Sequence, residues 1–452
     1  MSAPRVAVVG GGLAGLSAAV ACGDAGAEVT LFEARPRLGG ATWSTELQGL
    51  EVDNGQHVFL RCCSEYLAFL DRIGARARTT IQRRLEIPVL VPGRPTTWLR
   101  RAPLPAPLHL AASLARYAPL SLAERLRLVP AALRLKSLRL DDPSLDRTTF
   151  GAWLAAHGQS PRAIERFWDL VTRPTVNLPA AEASLALAAK VFQTGLLDAP
   201  DAADVGYATL PFQHVHADPA EQTLEKLGAV VRKRARAQRI ETAPGGGVAA
   251  LWVAGERLAC DALVLAAPHD DAAKLLPDAA GVSAAALGQL GSSPIVNLHT
   301  VWDRRVLPHT FAVGVGTPLE WLFDRTEASG LDHGQYLAVS LSAAERWVGT
   351  SSESLRSVFE PAFRALLPAA RDAVLERFFT TFEPNATFRG APGTRALRAR
   401  AETRVPGLFL AGAWTDTGWP ATMEGAVRSG RVAARAALLG LGRTRGLPEI
   451  AA

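Results

Sequence analysis

The sequence predicts an α/β fold: a parallel sheet assembled from distant parts of the chain, with a mixed α+β domain inserted between those parts. Three short apolar runs support the sheet, at residues 5–9, 261–268 and 407–412. Each run has the composition of a strand buried on both faces, and each ends in small residues or proline. We expect the sheet domain to contain residues 1–80, 215–285 and 395–452, and the inserted domain to contain residues 81–214 and 286–394.

The first strand continues into a glycine-rich turn and a helix. Gly10, Gly12 and Gly15 follow residues 5–9 directly, and a helix is predicted over residues 13–25. In dinucleotide-binding units the first glycine makes the turn, the second lets a pyrophosphate approach the backbone, and the third packs helix on strand. The free N–H groups at the helix start favour phosphate. The alternatives are a purely structural βαβ unit and a signal peptide, and three successive glycines exclude the second.

A second strand precedes Glu33, whose carboxylate can accept hydrogen bonds from the adenosine ribose hydroxyls. The loop that follows contains Gly39 and Gly40, which again let the backbone lie close to a ligand. Arg35 and Arg37 of this loop can face phosphates, and a plain loop with solvated arginines is the alternative.

A polar turn at residues 53–57 is a further candidate for ligand contact. It follows a predicted strand, residues 47–52, and polar residues around Gly55 suit a turn held against a ligand. Gln56 and His57 belong to this turn. A single histidine is more often a hydrogen-bonded structural residue than a catalyst, and both interpretations stay open for His57.

The bulk composition excludes several classes of protein. The chain has 452 residues, of which 48% are apolar and 20% charged, and it lacks the uninterrupted apolar run of a transmembrane helix. Its net charge of +6 comes without a nucleic-acid motif or an aromatic stacking platform, so we do not expect nucleic acid as a partner. The four cysteines have neither metal-site nor disulfide-framework spacing, which predicts no metal and a cytoplasmic location.

Residues 98–140 differ in composition from the rest. They are predicted to form a proline-broken helix rich in leucine, alanine and arginine, with Glu124 as its only acid. Interleaved apolar and basic residues suit a helix that lies on an anionic membrane, which would place the protein at the inner face of the cell membrane. A solvated helical cap over an active site is the alternative.

The remaining elements complete the two domains. The sequence predicts a hairpin at residues 84–99, helices over 150–197, and a β-meander over 229–259. Tyr207 belongs to an aromatic turn that can line a substrate channel. Pro420 suits the first position of the last long helix, whose free N–H groups offer a second anion-binding start.

Several segments carry a family resemblance. Residues 10–15 with Glu33, the segment 33–40, and the segment 407–430 resemble the FAD-dependent amine oxidase and carotenoid desaturase superfamily. More narrowly, the chain is similar to the squalene-associated FAD-dependent desaturases, a group that comprises the hydroxysqualene dehydroxylases of squalene and hopanoid synthesis. The segments that carry this narrower resemblance are 53–60, 188–192 and 386–389.

The resemblance implies FAD, held by a Rossmann-type domain made from both ends of the chain. Two positions depart from the superfamily pattern, because Ala41 replaces a frequent arginine and Ala413 replaces the usual aspartate. The residues expected at the cofactor are Gly10, Gly12, Leu13, Ala14, Gly15, Glu33, Ala34, Arg35, Gly39, Gly40, Ala41, Thr42, Gly55, Gln56, His57, Val231, Gly412, Ala413, Thr422 and Met423.

The resemblance further implies a reaction on a long apolar isoprenoid, in which reduced flavin delivers hydride to an allylic carbon as a hydroxyl leaves. Candidates for the proton donor are His57, Tyr207 and Asp416. The electron donor is not identified by the sequence. Two alternatives stay open: a phytoene or carotenoid desaturase, and a non-catalytic prenyl-binding protein on the same fold.

Overall fold

A computed structural model describes residues 3–450. Its central feature is a five-stranded sheet in which every neighbouring pair is parallel. In spatial order the strands are Val230–Arg232, Glu28–Phe32, Arg5–Val9, Ala262–Leu265 and Leu408–Leu410. Counted along the chain, the order is 3-2-1-4-5, as in doubly wound dinucleotide-binding sheets. The predicted α/β class is confirmed, and the domain boundaries stay a prediction.

The two ends of the chain pack together on one face of this sheet. The helix Leu13–Asp24 lies against the last long helix, Met423–Gly440. A Cβ atom on Gly430 would lie 2.1 Å from the carbonyl oxygen of Ala14, so only glycine permits this approach. Residues more than 400 positions apart along the chain therefore build one layer of the site.

The chain forms α-helices of different lengths, together with short π-helical and 3₁₀ turns. The longer ones are Leu13–Asp24, Ser64–Arg72, Leu122–Lys136, Phe150–Ala156, Asp169–Val176, Leu185–Phe192, Asp218–Lys226, His269–Leu275, Ala284–Gln289, Ser352–Leu366 and Met423–Gly440. Shorter α-helical turns are Ala111–Ala115, Pro161–Ala163, Thr326–Ser329 and Thr394–Leu397. The π-helical turns are Ile164–Trp168, Gln193–Leu197 and Gln213–Ala217. The 3₁₀ turns are Arg76–Arg78, Leu108–Leu110, Pro143–Arg147, Asp278–Ala280, Glu345–Trp347 and Pro368–Ala370.

A seven-stranded mixed sheet forms the core of the inserted part. Its strands, in spatial order, are Leu375–Thr387, Ser293–Trp302, Gln335–Ser342, Trp321–Asp324, Phe311–Gly314, Glu86–Leu90 and Thr97–Arg100. The helix Ser352–Leu366 covers one face with Leu355, Phe359 and Phe363, which are spaced four residues apart and fully buried. The predicted hairpin at 84–99 is the pair of strands at one end of this sheet.

The fold also contains three small sheets, two of three strands and one of two strands. The predicted meander is the sheet Ala237–Thr242, Val248–Val253 and Glu256–Ala259, in that order. A second contains Val58–Leu60, Val205–Ala208 and Thr79–Ile81. The single strand predicted at 47–52 is wrong, because Gln48 and Gly49, both at positive φ, turn the chain into the hairpin Ser44–Leu47 and Leu50–Asp53.

The helix predicted over residues 98–140 is also partly wrong. Trp98 lies in a strand, and α-helix forms only over the short segment Ala111–Ala115 and the longer segment Leu122–Lys136. A capping box starts that helix: Ser121 Oγ accepts from the Glu124 amide, and the Glu124 carboxylate accepts from the Ser121 amide at 2.8 Å. Within residues 3–450, no helix is long and apolar enough to cross a membrane.

Candidate active site

The glycine-rich turn lies at the carboxyl end of the central strand, where the strand order of the parallel sheet reverses. Gly10 has φ +108°, and a Cβ there would lie 2.6 Å from the Ala266 carbonyl oxygen. A Cβ on Gly15 would lie 1.8 Å from the Gly10 carbonyl oxygen. Both glycines are therefore required by the protein's own packing, and they bring strand and helix together.

Gly12 is different, because the protein itself leaves room for a side chain there. The nearest atom to a Cβ on Gly12 would be the Gly40 Cα, at 3.5 Å, an ordinary contact. Leu13 and Ala14 follow in the first turn of the buried helix, which has neither an acidic residue in that turn nor a side-chain cap. The open space beside Gly12 and this helix start suit an anionic group.

Glu33 lies at the end of the neighbouring strand and is held rigidly. One carboxylate oxygen accepts from the Gly11 amide and the other from the Arg35 amide, both at 2.7 Å. The carboxylate is buried, whereas Ala34 and the side chain of Arg35 are exposed. Glu33 is thus fixed beside the glycine turn, with lone pairs left for a ribose hydroxyl.

The second glycine loop packs directly on the first. The Gly39 amide donates to the Gly11 carbonyl at 2.9 Å, and a Cβ on Gly40 would lie 2.6 Å from the Gly12 Cα. Thr42 is buried, and its hydroxyl donates to the Gly39 carbonyl, whereas Ala41 is exposed. The structure therefore brings the predicted residues 10–15 and 39–42 into one site.

Arg37 supports an anionic ligand at this site. Its guanidinium lies 3.8 Å above the Trp43 ring, and its buried Nη1 atom has no hydrogen-bond partner among residues 3–450. A buried donor without a partner is costly, so a ligand oxygen at this position would satisfy it. Together with the space at Gly12, this observation fits a dinucleotide pyrophosphate.

The carboxyl-terminal half of the site is built around Gly412, which follows the edge strand and has φ +141°. Its amide donates to Ser429 Oγ at 2.8 Å. The buried Arg398 guanidinium donates to the carbonyl oxygens of Ala413, Trp414 and Thr415, and burial lowers the pKa of Arg398 to about 10. Arg398 thus shapes the turn in which Ala413 replaces the expected acid.

The last long helix begins at Met423, with Thr422 as its N-cap: Thr422 Oγ1 accepts from the Gly425 amide at 3.1 Å. Pro420 is not the first helical residue, contrary to the sequence prediction, because the threonine cap sets the start three residues later. Val231 lies in the outer strand of the parallel sheet, opposite Leu31.

A small cavity of about 20 Å³ lies beside the polar turn 54–57. His57 and Tyr207 both line it. They lie close together because Val58, the residue after His57, pairs with Tyr207 in the small sheet. Asp416 is exposed and is not part of this wall. The full lining is Gln56, His57, Val58, Tyr207, Ala208, Phe212, Thr310, Phe311, Phe323, Asp324 and Arg325.

The family description "Flavin containing amine oxidoreductase" matches residues 13–438 of the chain. The chain belongs to this family. The membership confirms the predicted flavin oxidoreductase and its cofactor, FAD.

Similar proteins agree with this result. The chain is 28% identical to hydroxysqualene dehydroxylase of Zymomonas mobilis over 442 residues, which cover 95% of this chain and 98% of that protein. It is 24% identical to zeta-carotene desaturase of Synechocystis over 481 residues, covering 96% and 97%. An oxidoreductase structure from Methanosarcina mazei superimposes with a TM-score of 0.72 at 15% identity, covering 94% and 98%. That likeness confirms the fold.

His57 is uncharged, and one of its ring nitrogens can accept a hydrogen bond. Its Nδ1 atom lies 3.3 Å from the Gly55 carbonyl oxygen. Because a carbonyl oxygen can only accept, we assign the ring proton to Nδ1, which leaves Nε2 unprotonated. Burial lowers the pKa of His57, although the nearby Asp53 carboxylate opposes that shift. His57 is therefore uncharged near neutral pH.

Two polar residues that were not predicted from the sequence hold the turn 54–57. Asn297, from the seven-stranded sheet, donates to the Asn54 carbonyl at 2.6 Å. Ser340 from the next strand accepts from the Gln56 amide at 3.2 Å and donates to the Asn297 side chain at 2.7 Å. Both residues lie in strands made mostly of apolar residues, and a polar residue at such a position could have indicated a buried hydrogen bond.

A buried ion pair at the cavity was likewise not predicted from the sequence. Arg325 donates to the Asp53 carboxylate at 2.9 Å and to the Ala208 carbonyl at 2.6 Å. Asp53 in turn accepts from the Phe212 amide at 2.9 Å. The pair therefore holds Ala208 and Phe212 of the cavity wall in place, and Ser44 Oγ also donates to the Asp53 carboxylate, at 2.7 Å. Among residues 3–450, no cluster of three metal-ligating side chains occurs.

Proposed function

We propose that this protein removes the hydroxyl group of hydroxysqualene and forms squalene. The observation that carries the proposal is the cavity in which a phenol, an imidazole and an aromatic wall lie together. Similarity over nearly the whole chain to proteins named hydroxysqualene dehydroxylase, at 28 and 29% identity, supports it.

FAD would be held by the residues around the two glycine loops, with Gly12 and Arg37 at the pyrophosphate and Glu33 at the ribose. Reduced FAD, when bound, supplies a hydride for an electron-poor carbon. The rest of the reaction depends on the protein: a long apolar substrate must be oriented, and the departing hydroxide must receive a proton.

Tyr207 is the best candidate for the residue that gives this proton. A phenol hydroxyl carries a proton at neutral pH, and the Tyr207 side chain lines the cavity. His57, with its proton directed to Gly55, instead presents Nε2 as an acceptor, which suits orientation of the substrate hydroxyl. Asp416 is exposed and outside the cavity wall, so we do not retain it as a candidate.

The aromatic wall gives the cavity a second chemical property. Phe212, Phe311 and Phe323 line it, and the Phe311 ring lies 6.1 Å from that of Tyr207 at 67°. Aromatic faces attract positive charge. Loss of hydroxide from an allylic carbon leaves positive charge on the chain, so these rings would stabilise the charge without offering a nucleophile.

The experiment is anaerobic incubation of the purified, photoreduced holoprotein with hydroxysqualene, followed by mass spectrometry. We expect squalene, and about a 10²-fold or larger loss of rate in Tyr207→Phe, the scale of general acid catalysis. Oxidised protein is the control. Absence of squalene would refute the proposal, and bleaching of oxidised flavin by a carotenoid precursor would favour the desaturase alternative instead. A purified protein without flavin absorbance would favour a non-catalytic prenyl-binding protein.

We also propose that the helix Leu122–Lys136 rests on an anionic membrane surface. Its exposed apolar side chains recur at helical spacing, and Leu122, Leu126, Val129 and Leu133 are each at least half exposed. Its single acid, Glu124, is engaged in the helix cap. An apolar stripe flanked by arginines is typical of helices at a membrane interface.

An apolar cluster extends from the cavity wall to the segment that precedes this helix. Tyr207, Phe311 and Phe323 of that wall belong to this cluster, which also contains Leu110 and Leu196. Leu110 lies two residues from Leu108, which is 57% exposed.

A further inference from the structure

A buried histidine connects the second glycine loop with the substrate cavity. His216 lies in the π-helical turn Gln213–Ala217 and is completely buried. Its Nδ1 atom lies 3.0 Å from Thr42 Oγ1, and its Nε2 atom lies 2.7 Å from Tyr66 Oη. Thr42 Oγ1 itself lies 3.0 Å from the Gly39 carbonyl oxygen. Neither His216 nor Tyr66 has a part in the reaction proposed above.

The direction of each hydrogen bond follows from these contacts. The Gly39 carbonyl can only accept, so the Thr42 hydroxyl donates to it and accepts from the Nδ1–H group of His216. The Nε2 atom then accepts from Tyr66. Burial lowers the pKa of His216 to about 3, so the whole chain of hydrogen bonds is uncharged and each polar atom in it is satisfied.

The face of the His216 ring has a second role. It stacks on Phe212 with centroids 5.3 Å apart and an interplanar angle of 5°. Phe212 lines the cavity, and its ring meets the His57 ring edge to face at 5.1 Å. One imidazole therefore contacts the glycine loop through its edge and the cavity wall through its face.

The glycine loop requires such support. Gly39 and Gly40 have φ values of +104° and +58°, and Gly39 has no freedom to carry a side chain because a Cβ would lie 2.4 Å from the Thr42 carbonyl oxygen. A flexible pair of glycines loses much backbone entropy when ordered. The hydrogen bonds from the Thr42 amide and hydroxyl to the Gly39 carbonyl, at 3.0 Å each, order this pair.

We propose that His216 is a positioning residue for the cofactor: through Thr42 it holds the Gly39–Gly40 turn in the conformation that binds FAD, and through Phe212 it links that turn to the cavity wall. The inference rests on the proposed placement of the pyrophosphate beside Gly12 and Gly40.

The test measures the dissociation constant of FAD from the purified holoprotein, by the fluorescence of flavin released on dilution. Thr42→Val removes the hydroxyl at nearly constant volume, and His216→Phe removes both ring nitrogens while keeping the stack on Phe212. We expect each to raise the dissociation constant of FAD about tenfold or more. The variant Thr42→Ser keeps the hydroxyl and should bind FAD with the parent dissociation constant. The double variant Thr42→Val/His216→Phe should bind FAD no more weakly than either single variant, because both substitutions break the same hydrogen bond between His216 and Thr42.

A matched control lies in the seven-stranded sheet. Tyr336 Oη lies 2.7 Å from His299 Nδ1, the same separation as in the Tyr66–His216 pair. Tyr336→Phe should lower the melting temperature without changing the dissociation constant of FAD. Unchanged FAD binding in Thr42→Val, or additive effects in the double variant, would overturn the positioning role.

A further variant separates this failure from a wrong cofactor position. If Gly12→Ala weakens FAD binding and Thr42→Val does not, the FAD site stands and the role of His216 is refuted. If both variants bind FAD as the parent does, the placement of FAD is refuted, and the inference with it.

Discussion

Gly12→Ala is the sharpest test of where the cofactor lies. The backbone at Gly12 has φ −78° and ψ 177°, which alanine adopts freely, and the new Cβ would have its nearest contact at 3.5 Å. Alanine should raise the free energy of unfolding by about 0.4–1 kcal/mol, because it reduces the entropy of the unfolded chain. It should lower that free energy by a similar amount, because it is a poorer N-cap than glycine. The two effects oppose each other, so the free energy of unfolding without FAD should change by less than about 1 kcal/mol.

The same methyl group would occupy the space assigned to the pyrophosphate. In the proposed site it would lengthen the hydrogen bonds that the helix start would donate to phosphate oxygens, and such a bond contributes about 1.5–3 kcal/mol when one partner is charged. Loss of one such bond raises the dissociation constant of FAD by roughly ten- to more than a hundredfold. Flavin fluorescence on dilution measures this change, and urea unfolding of the flavin-free protein measures the stability.

Gly15→Ala provides the contrast, because its Cβ would lie 1.8 Å from the Gly10 carbonyl oxygen. That variant should lose stability by several kcal/mol even without FAD, through overpacking. Two results would refute the reasoning: a Gly12→Ala protein as unstable as Gly15→Ala, or a stable Gly12→Ala protein with parental affinity for FAD.

Three further predictions concern pH, a buried acid and the membrane surface. Acidification from about pH 7.5 to about 5.5 should reduce stability by roughly 1.4 kcal/mol for each of His216 and His299, because burial lowers their pKa to about 3 while unfolded histidines take up protons near pH 6.5. Urea titrations measure the loss, which should be smaller in His299→Phe; an equal loss would contradict this cause. Glu424→Ala should cost about 3 kcal/mol in the same titration, since the buried carboxylate accepts from two backbone amides and pairs with an arginine, whereas a cost below about 1 kcal/mol would show that these contacts are dispensable. Leu126→Glu with Leu133→Glu should abolish co-sedimentation with phosphatidylglycerol vesicles and leave FAD content unchanged; retained binding would rule out this helix as the contact.

Much of the cofactor site could be predicted because its signals are local. Strand, glycines, helix and acid follow one another within residues 5–33, and periodicity with glycine chemistry is enough to recognise them. The parallel sheet was predictable for the same reason, since each strand is a short apolar run that ends in small residues.

The residues that hold the cavity could not be predicted, because their contacts are distant in sequence. Asn297 reaches a carbonyl 243 residues away, and Arg325 reaches its carboxylate across 272 residues. Nothing near either residue indicates its partner. The hairpin turn at Gln48 was missed for a different reason: a non-glycine residue at positive φ leaves little local signal.

The close packing of the first and last helices has a consequence for how the protein is made. The strand Arg5–Val9 is synthesised some 250 residues before its neighbour Ala262–Leu265, and the edge strand Leu408–Leu410 and the helix bearing Gly430 follow later still. Pairings of such high sequence separation fold slowly. In the proposed site, the glycine turn would therefore stay incomplete for most of translation, and we expect FAD to bind only after the carboxyl-terminal helix has docked. A chain that ends before this helix would then lack half of the proposed cofactor site.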